Sequence, residues 1–218
     1  MTVGSTGLWV VGVIPDEETW ALPDRFLHLI QPGDWARPSG YGETLAWWSD
    51  GGDREPFFVH PVAPSGPLTP TPAAQRFADF IHNANAATEA AEAMRDASMS
   101  LMPETEGVGL FVAAARKASP AAALCYGLGA EGTAMLPGWF GDFLLSADDV
   151  ITALPRAEEA LRLSSTRRSE ALSRITAWMT AMGDAPGFDA AELIDAPLRV
   201  LRFAAETRSG AAAFSRWY

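Results

Sequence analysis

Three histidines, His28, His60 and His82, are the first residues to weigh for acid–base or metal chemistry. None has a second histidine or a cysteine at the local spacing of a metal site, so no metal centre is expected. His60 follows Asp50 and Asp53, and a carboxylate there could orient it as a general base. A strand histidine with a satisfied hydrogen bond fits the same pattern. Gly127-Leu-Gly129-Ala-Glu-Gly132 has the glycine spacing of a dinucleotide-binding turn, with Asp148 and Asp149 downstream where an acid would hold a ribose. The surroundings speak against a nucleotide. Ser119-Pro120 starts a helix where a strand should lead in, and Pro137 and Gly138 leave no room for the helix behind. Glu131 would also set a negative charge against the pyrophosphate. The segment is expected to be a helix end followed by a tight loop.

Cys125 is the sole cysteine, so no internal disulfide can form. Its neighbours Ala123, Leu124 and Tyr126 predict a buried, inert thiol. There is no Gly-x-Ser-x-Gly elbow and no lysine–serine phosphate loop. No cofactor is expected.

Two aromatic groups carry more promise. One is Trp35, Tyr41, Trp47, Trp48, Phe57 and Phe58; the other is Trp139, Phe140 and Phe143 around Asp142. Aromatics beside glycines and acids line ligand pockets or present anchors to a partner protein. They also build cores, in which case Trp47 and Trp48 would face opposite sides of a strand. The binding candidates are Trp35, Tyr41, Trp47, Trp48, His60, Tyr126, Trp139 and Asp142.

The 218 residues fit one large domain or two small ones, enough to bury a core without staples. Net charge is −11 and unevenly spread. Residues 1–109 hold 15 acids and 5 bases, a balance of −10; residues 110–218 hold 12 acids and 11 bases, a balance of −1. The acidic front half argues against nucleic-acid binding and would speed encounter with a basic protein partner. Solubility alone accounts for the same charge. The C-terminal arginines interleave with acids such as Glu158, Glu170 and Glu206, the pattern of a solvated face. Lys117 is the only lysine, and the abundance of Arg, Ala, Gly and Pro points to a high-GC bacterial genome. No basic segment precedes the apolar run Leu8–Ile14, which is also too short to span a bilayer. A cytoplasmic protein with no membrane contact is expected.

The elements that would position these residues follow from periodicity and punctuation. Residues 7–14 read as a buried strand. Residues 24–31 read as a short helix. Thr44–Trp48 and Pro56–Val62, separated by turn chemistry, read as an antiparallel hairpin. The prolines of 61–72 predict a linker or extended crossover. Thr71-Pro72 opens a helix over about 72–98 carrying Phe77, Phe80, Ile81 and Met94 at spacings of three and four. Further helices are expected over about 105–117, from Ser119-Pro120 to near Gly127, from Ser146, from Ser165 to Gly183, and through Leu198–Ala204 to Phe214 and Trp217. The class is α+β and mostly helical. A small N-terminal antiparallel β element, in residues 1–70, packs on the helices of residues 71–218 to form one compact domain.

The C-terminal half resembles the YfbM-like bacterial domains over about a third of the chain. The likeness rests on the helix start Leu145-Ser-Ala-Asp-Asp-Val150 and on an alanine-rich final helix, here Leu201-Arg-Phe-Ala-Ala205 to Trp217. It implies no activity, because that family has no settled one.

Two functions fit these observations. One is a non-catalytic interaction protein whose acidic, aromatic front half binds a basic partner, as a toxin-neutralising or accessory protein does. The other is a cofactor-independent enzyme or ligand-binding protein with an aromatic-lined pocket between the halves, using His60, Tyr126 and Asp142.

Overall fold

Alternation along the first strand, β1 (Thr6–Ile14), sends its side chains to two different cores. Trp9 and Val11 enter the main core with Phe111, Ala113 and Ala213. Val10 and Ile14 enter a second core with Leu22, Met102, Leu110 and Phe214. The strand is therefore covered on both faces, which its near-continuous apolar composition requires. The computed structural model describes residues 5–30, 40–60, 66–84, 88–183 and 186–218.

β1 is followed by α1 (Asp16–Phe26), α2 (Tyr41–Ser49), the short strands β2 (Phe58–Val59) and β3 (Thr69–Pro70), α3 (Pro72–Ala84) and α4 (Glu89–Leu101). Then come β4 (Leu110–Arg116), α5 (Pro120–Met135), β5 (Phe143–Leu145), α6 (Ala147–Leu161), α7 (Ser165–Met182), α8 (Glu192–Thr207) and β6 (Gly210–Trp217). The main sheet has the order β4-β1-β6-β5 with every neighbouring pair antiparallel. Val10 stands opposite Val112 on one side and Phe214 on the other. Helices α3, α5, α7 and α8 share the main core, while α1 and α4 cover the opposite sheet face. Helix α6 seals α8 and the start of β6 through Val150, Ala157, Leu201, Ala204 and Ala211.

The protein is mostly helical α+β, with an antiparallel sheet that includes the N-terminal strand, as the composition and periodicity predict. The origin of the other strands differs from expectation. β1 is flanked by β4 and β6, so the region 1–70 supplies one strand of the main sheet and residues 110–217 supply three. The helix expected over 105–117 is strand from Leu110 to Arg116, and the helix expected through Phe214 and Trp217 is strand from Gly210. Both segments are alanine runs, Ala113-Ala-Ala115 and Ala211-Ala-Ala213. Alanine favours helix locally. Here tertiary packing wins, because Ala113, Ala115, Ala211, Ala212 and Ala213 are buried in the sheet.

The hairpin expected from Thr44–Trp48 and Pro56–Val62 is also absent in that form. Thr44–Trp48 lies in α2, which buries Tyr41 and Trp48 at a spacing of seven with Leu45 half-buried between them. Phe58–Val59 instead pairs with Thr69–Pro70. Residues 61–65 of the expected linker lie outside the described residues. The long helix expected over 72–98 is two, α3 and α4, with residues 85–87 outside the described set. The acids Asp16, Glu17 and Glu18 end β1 as expected and also form the first turn of α1, where the helix dipole favours them.

Two local signals are met in full. The Thr71 hydroxyl accepts the Ala74 N–H at the start of α3. The Ser146 hydroxyl accepts from the Asp149 N–H, and Asp149 reciprocates at the Ser146 N–H, a capping box.

Candidate ligand cavity

Helix α3 places Gln75, Asp79 and His82 on one stripe, at spacings of four and three, and leaves all three exposed. Beside them Ala78 is half-buried and Ile81 is buried. These five residues form one wall of a cavity of about 250 Å³. Lys117, Ala118, Ser119 and Ala122 form a second wall, Trp178 and Met182 of α7 a third, and Trp217 of β6 closes it. Gln75, Asp79, His82 and Lys117 are exposed, while Ile81, Ser119, Ala122 and Trp178 are buried, a mostly apolar lining with a few polar groups as in small-molecule sites.

The turn from β4 into α5 is held tightly. The Lys117 N–H donates to the Ser5 carbonyl at 2.8 Å, and Lys117 itself has φ 60°, a left-handed conformation uncommon outside glycine. The Ser119 hydroxyl accepts the Ala122 N–H at 3.2 Å and caps α5, with Pro120 in its first turn. Gly7 of β1 makes room for this turn. A Cβ there would stand 2.1 Å from the Ala118 carbonyl oxygen and 3.3 Å from the Trp217 ring. His82 meets the Trp217 ring edge-on at the cavity mouth.

Trp178 brings a second feature. Its buried indole N–H has no hydrogen-bond partner among the described residues. Its ring lies among Phe57, Phe58, Phe77 and Tyr126, with centroids 5.6 to 6.4 Å away. A buried donor without an acceptor costs roughly 1–3 kcal/mol and calls for an explanation.

Larger depressions exist but hold less promise. One of about 640 Å³ and a neighbour of about 440 Å³ share Leu128, Arg167 and Arg174, and both lie open beside α7. Their linings mix Arg54, Arg167 and Arg174 with Asp50, Asp53, Glu131 and Glu170. A third of about 610 Å³ runs along α8. Its arginines are engaged: Arg168 with Asp195, Arg199 with Glu192 and Arg202 with Glu158.

The candidates read from the sequence fall mainly into the core. Trp48 is buried and stacked on Phe77 at 4.1 Å, Tyr41 is buried and stacked on Trp139, and Tyr126 is stacked on Phe57 at 4.5 Å. Trp47 is half-buried, stacked on Phe57, covered by the Arg76 guanidinium and bonded to Glu55. Burial raises the Tyr126 hydroxyl, and Arg174, 4.3 Å above its ring, offsets part of that rise. Trp139 keeps 36% of its surface exposed. Trp35 lies outside the described residues. His60 is exposed and makes no hydrogen bond or ion pair among the described residues. The Asp53 carboxylate, expected near it, accepts the Ala130 N–H instead.

Asp142 is a structural hub. Its Oδ1 accepts the Ser215 N–H at 2.7 Å and its Oδ2 accepts from Arg95 at 3.1 Å. Burial lifts its carboxyl to about 6, and Arg95 and Ser215 pull it back only part of the way. Arg95 also meets Glu92, and Arg216 meets Glu92 and Asp96, so the ion pairs tie α4 to β6. Cys125 is wholly buried, and burial pushes its thiol up to about 12, as expected of an inert cysteine.

The glycine motif lies within α5, where Gly129, at φ 74°, breaks the helix. The residues before it are helical, so no strand leads into the turn. The helix expected to stop near Gly127 resumes beyond the break and runs to Met135.

Sequence reasoning missed Asp79, Lys117, Ser119, Trp178 and Trp217 as a group. The α3 stripe and the solitary lysine were the signals present. Only the sheet topology brings residues 75–82 to residues 117–119 and 217.

Among the described residues no group of three or more His, Cys, Asp or Glu could hold a metal ion, and no helix is long and apolar enough to cross a membrane. The final helix of the YfbM-like likeness ends at Thr207, short of Trp217. Comparison with protein-family models, curated proteins and solved structures returns no match.

Proposed function

We propose that this protein binds a small organic molecule in the cavity between α3, the β4–α5 turn, α7 and β6. The observation that carries the reading is the convergence of Asp79, His82, Lys117 and Ser119 around a floor of Ile81, Ala122, Trp178 and Met182. Residues from four separate elements meet there, and a solvated face gives no reason for an apolar floor beneath them. This version of the ligand-binding reading keeps the aromatic lining but moves the site away from His60, Tyr126 and Asp142.

The test is a fragment screen by ligand-observed NMR on the wild-type chain and on Ala78→Trp. Ala78 is half-buried at the cavity wall, so the indole fills the cavity from its edge. Fragments that bind wild type and not the folded variant support the reading. Fragments that bind both equally, or none that bind wild type, overturn it.

A second reading is association with a basic protein partner through the acidic front half. It is supported by Trp20, 67% exposed on α1 among Asp16, Glu17, Glu18 and Asp24. An exposed tryptophan ringed by acids is a natural anchor for such a partner. A partner captured from the host at low salt, and lost with Trp20→Ala, supports this reading. Capture that is indifferent to Trp20 and to salt counts against it.

A further inference from the structure

A second set of charges stands apart from that cavity, in the open depression of about 440 Å³ where Arg54, Arg167 and Arg174 meet Asp50, Asp53 and Glu131. Three cations and three anions line one space. On α6 to α8 such groups otherwise pair off: Arg162 and Arg202 meet Glu158, Arg168 meets Asp195 and Arg199 meets Glu192. Here none of the six forms an ion pair among the described residues. Opposite charges that share a depression and leave one another unpaired suit a molecule carrying both signs.

Arg174 is the fixed point. Its Nη2 donates to the Asp53 carbonyl at 2.8 Å, and its guanidinium lies 4.3 Å above the Tyr126 ring. Both contacts hold the group in place without neutralising its charge. An oxyanion that reaches it finds a donor fork already ordered. Arg167 stands seven residues earlier on the same face of α7, and Arg54 comes from the turn Gly52–Arg54. Asp53 is held too, because its Oδ2 accepts the Ala130 N–H at 3.1 Å. Gly129 lets the chain pass close by: a Cβ there would stand 2.7 Å from that oxygen and 3.8 Å from Arg174 Nη1.

The other end is acidic. Asp50 and Glu131 are exposed, and neither carboxylate accepts a hydrogen bond among the described residues. Leu128, Ala130 and Ala134 are the apolar members of the lining, and no aromatic side chain of the described residues joins them, so nothing there stacks on a ring. A ligand of one sign gains half of these groups and is repelled by the other half. We infer that this depression binds a small aliphatic zwitterion, its carboxylate on Arg167 and Arg174 and its ammonium on Asp50 and Glu131. The assignment is independent of the cavity reading above.

The experiment is a titration of the full chain at low salt, followed by NMR and calorimetry. The probes are glycine, 4-aminobutanoate and 6-aminohexanoate, which set the two charges progressively further apart. Hexanoate and hexylamine are the single-charge controls. At least one zwitterion is expected to bind about ten-fold or more tightly than both controls, the scale of one charge-assisted hydrogen bond. Arg167 and Glu131 are exposed, so their glutamine variants are expected to fold. Arg167→Gln should weaken the zwitterion and hexanoate and leave hexylamine unchanged. Glu131→Gln should weaken the zwitterion and hexylamine and leave hexanoate unchanged. A control that binds as tightly as the best zwitterion, or a zwitterion indifferent to both variants, overturns the assignment. So does the absence of zwitterion binding up to about 10 mM. Ala78→Trp, which fills the other cavity, should leave the zwitterion's affinity unchanged; its loss there would place the molecule in that cavity and overturn this site.

Discussion

The His82 ring meets Trp217 edge-on, with centroids 5.8 Å apart and planes at 70°. The contact joins α3 to the last strand at the cavity mouth, across 135 residues of chain. Aromatic pairs of this geometry contribute about 0.5–1.5 kcal/mol beyond their buried area. A double-mutant cycle with His82→Ala and Trp217→Ala is expected to give a coupling energy in that range by urea unfolding. A coupling near zero would mean that the two rings are neighbours without a shared contribution to stability.

Lys117 holds a left-handed backbone conformation at φ 60°. A side chain there costs roughly 1 kcal/mol relative to glycine. Lys117→Gly is therefore expected to stabilise the chain by up to about 1 kcal/mol in chemical denaturation. The same change should weaken binding of fragments that occupy the cavity. A residue that strains the backbone while serving a ligand is the pattern of a functional site. Loss of stability in Lys117→Gly would show that the lysine side chain stabilises the turn and is not retained for binding.

Asp142 links stability to pH. Burial raises its carboxyl from the ordinary 3.8 to about 6 in the folded protein. Between those values the native state holds a proton that the unfolded state has released. This group's contribution to stability is therefore fully present below about pH 4 and is lost as pH rises through 6. Other carboxylates titrate too, so the measurement is the difference between wild type and Asp142→Asn across pH 4 to 7. Relative to the variant, wild type should lose stability as pH rises, by at most about 1.4 kcal/mol per pH unit. A pH-independent difference would show that Arg95 and Ser215 hold the carboxyl at its ordinary value.

Legibility in the sequence followed locality. β1 was readable because Trp9, Val10, Val11, Val13 and Ile14 are β-favouring and bounded by Pro15. The starts of α3 and α6 were readable because Thr71 and Ser146 satisfy N–H groups three residues away. β4 and β6 were not, because Ala113 and Ala211–Ala213 adopt strand only through pairing with residues about 100 to 200 positions away. Trp47-Trp48 misled for another reason. Adjacent tryptophans suit a strand, yet Tyr41, Leu45 and Trp48 at helical spacing carried the stronger signal. The cavity was the least legible feature. Asp79, Lys117, Trp178 and Trp217 have no sequence relationship, and only the finished fold makes them neighbours.

Two buried tryptophans separate the value of a hydrogen bond from that of a ring. The Trp9 indole N–H donates to the Gly141 carbonyl at 3.0 Å across 132 residues, in a buried setting. The Trp48 indole N–H is equally buried and has no partner among the described residues. Each change to phenylalanine removes similar apolar area. Trp9→Phe also strands the Gly141 carbonyl oxygen, which costs about 1–3 kcal/mol when no water reaches it. Trp48→Phe removes a donor that was already unpaired, a gain that offsets part of the lost packing against Phe77 and Phe57. Trp9→Phe is therefore expected to be the more destabilising by about 1–3 kcal/mol in urea unfolding. Equal losses would show that the Trp48 N–H finds an acceptor in solution, most simply an internal water, and that its isolation in the aromatic core is only apparent.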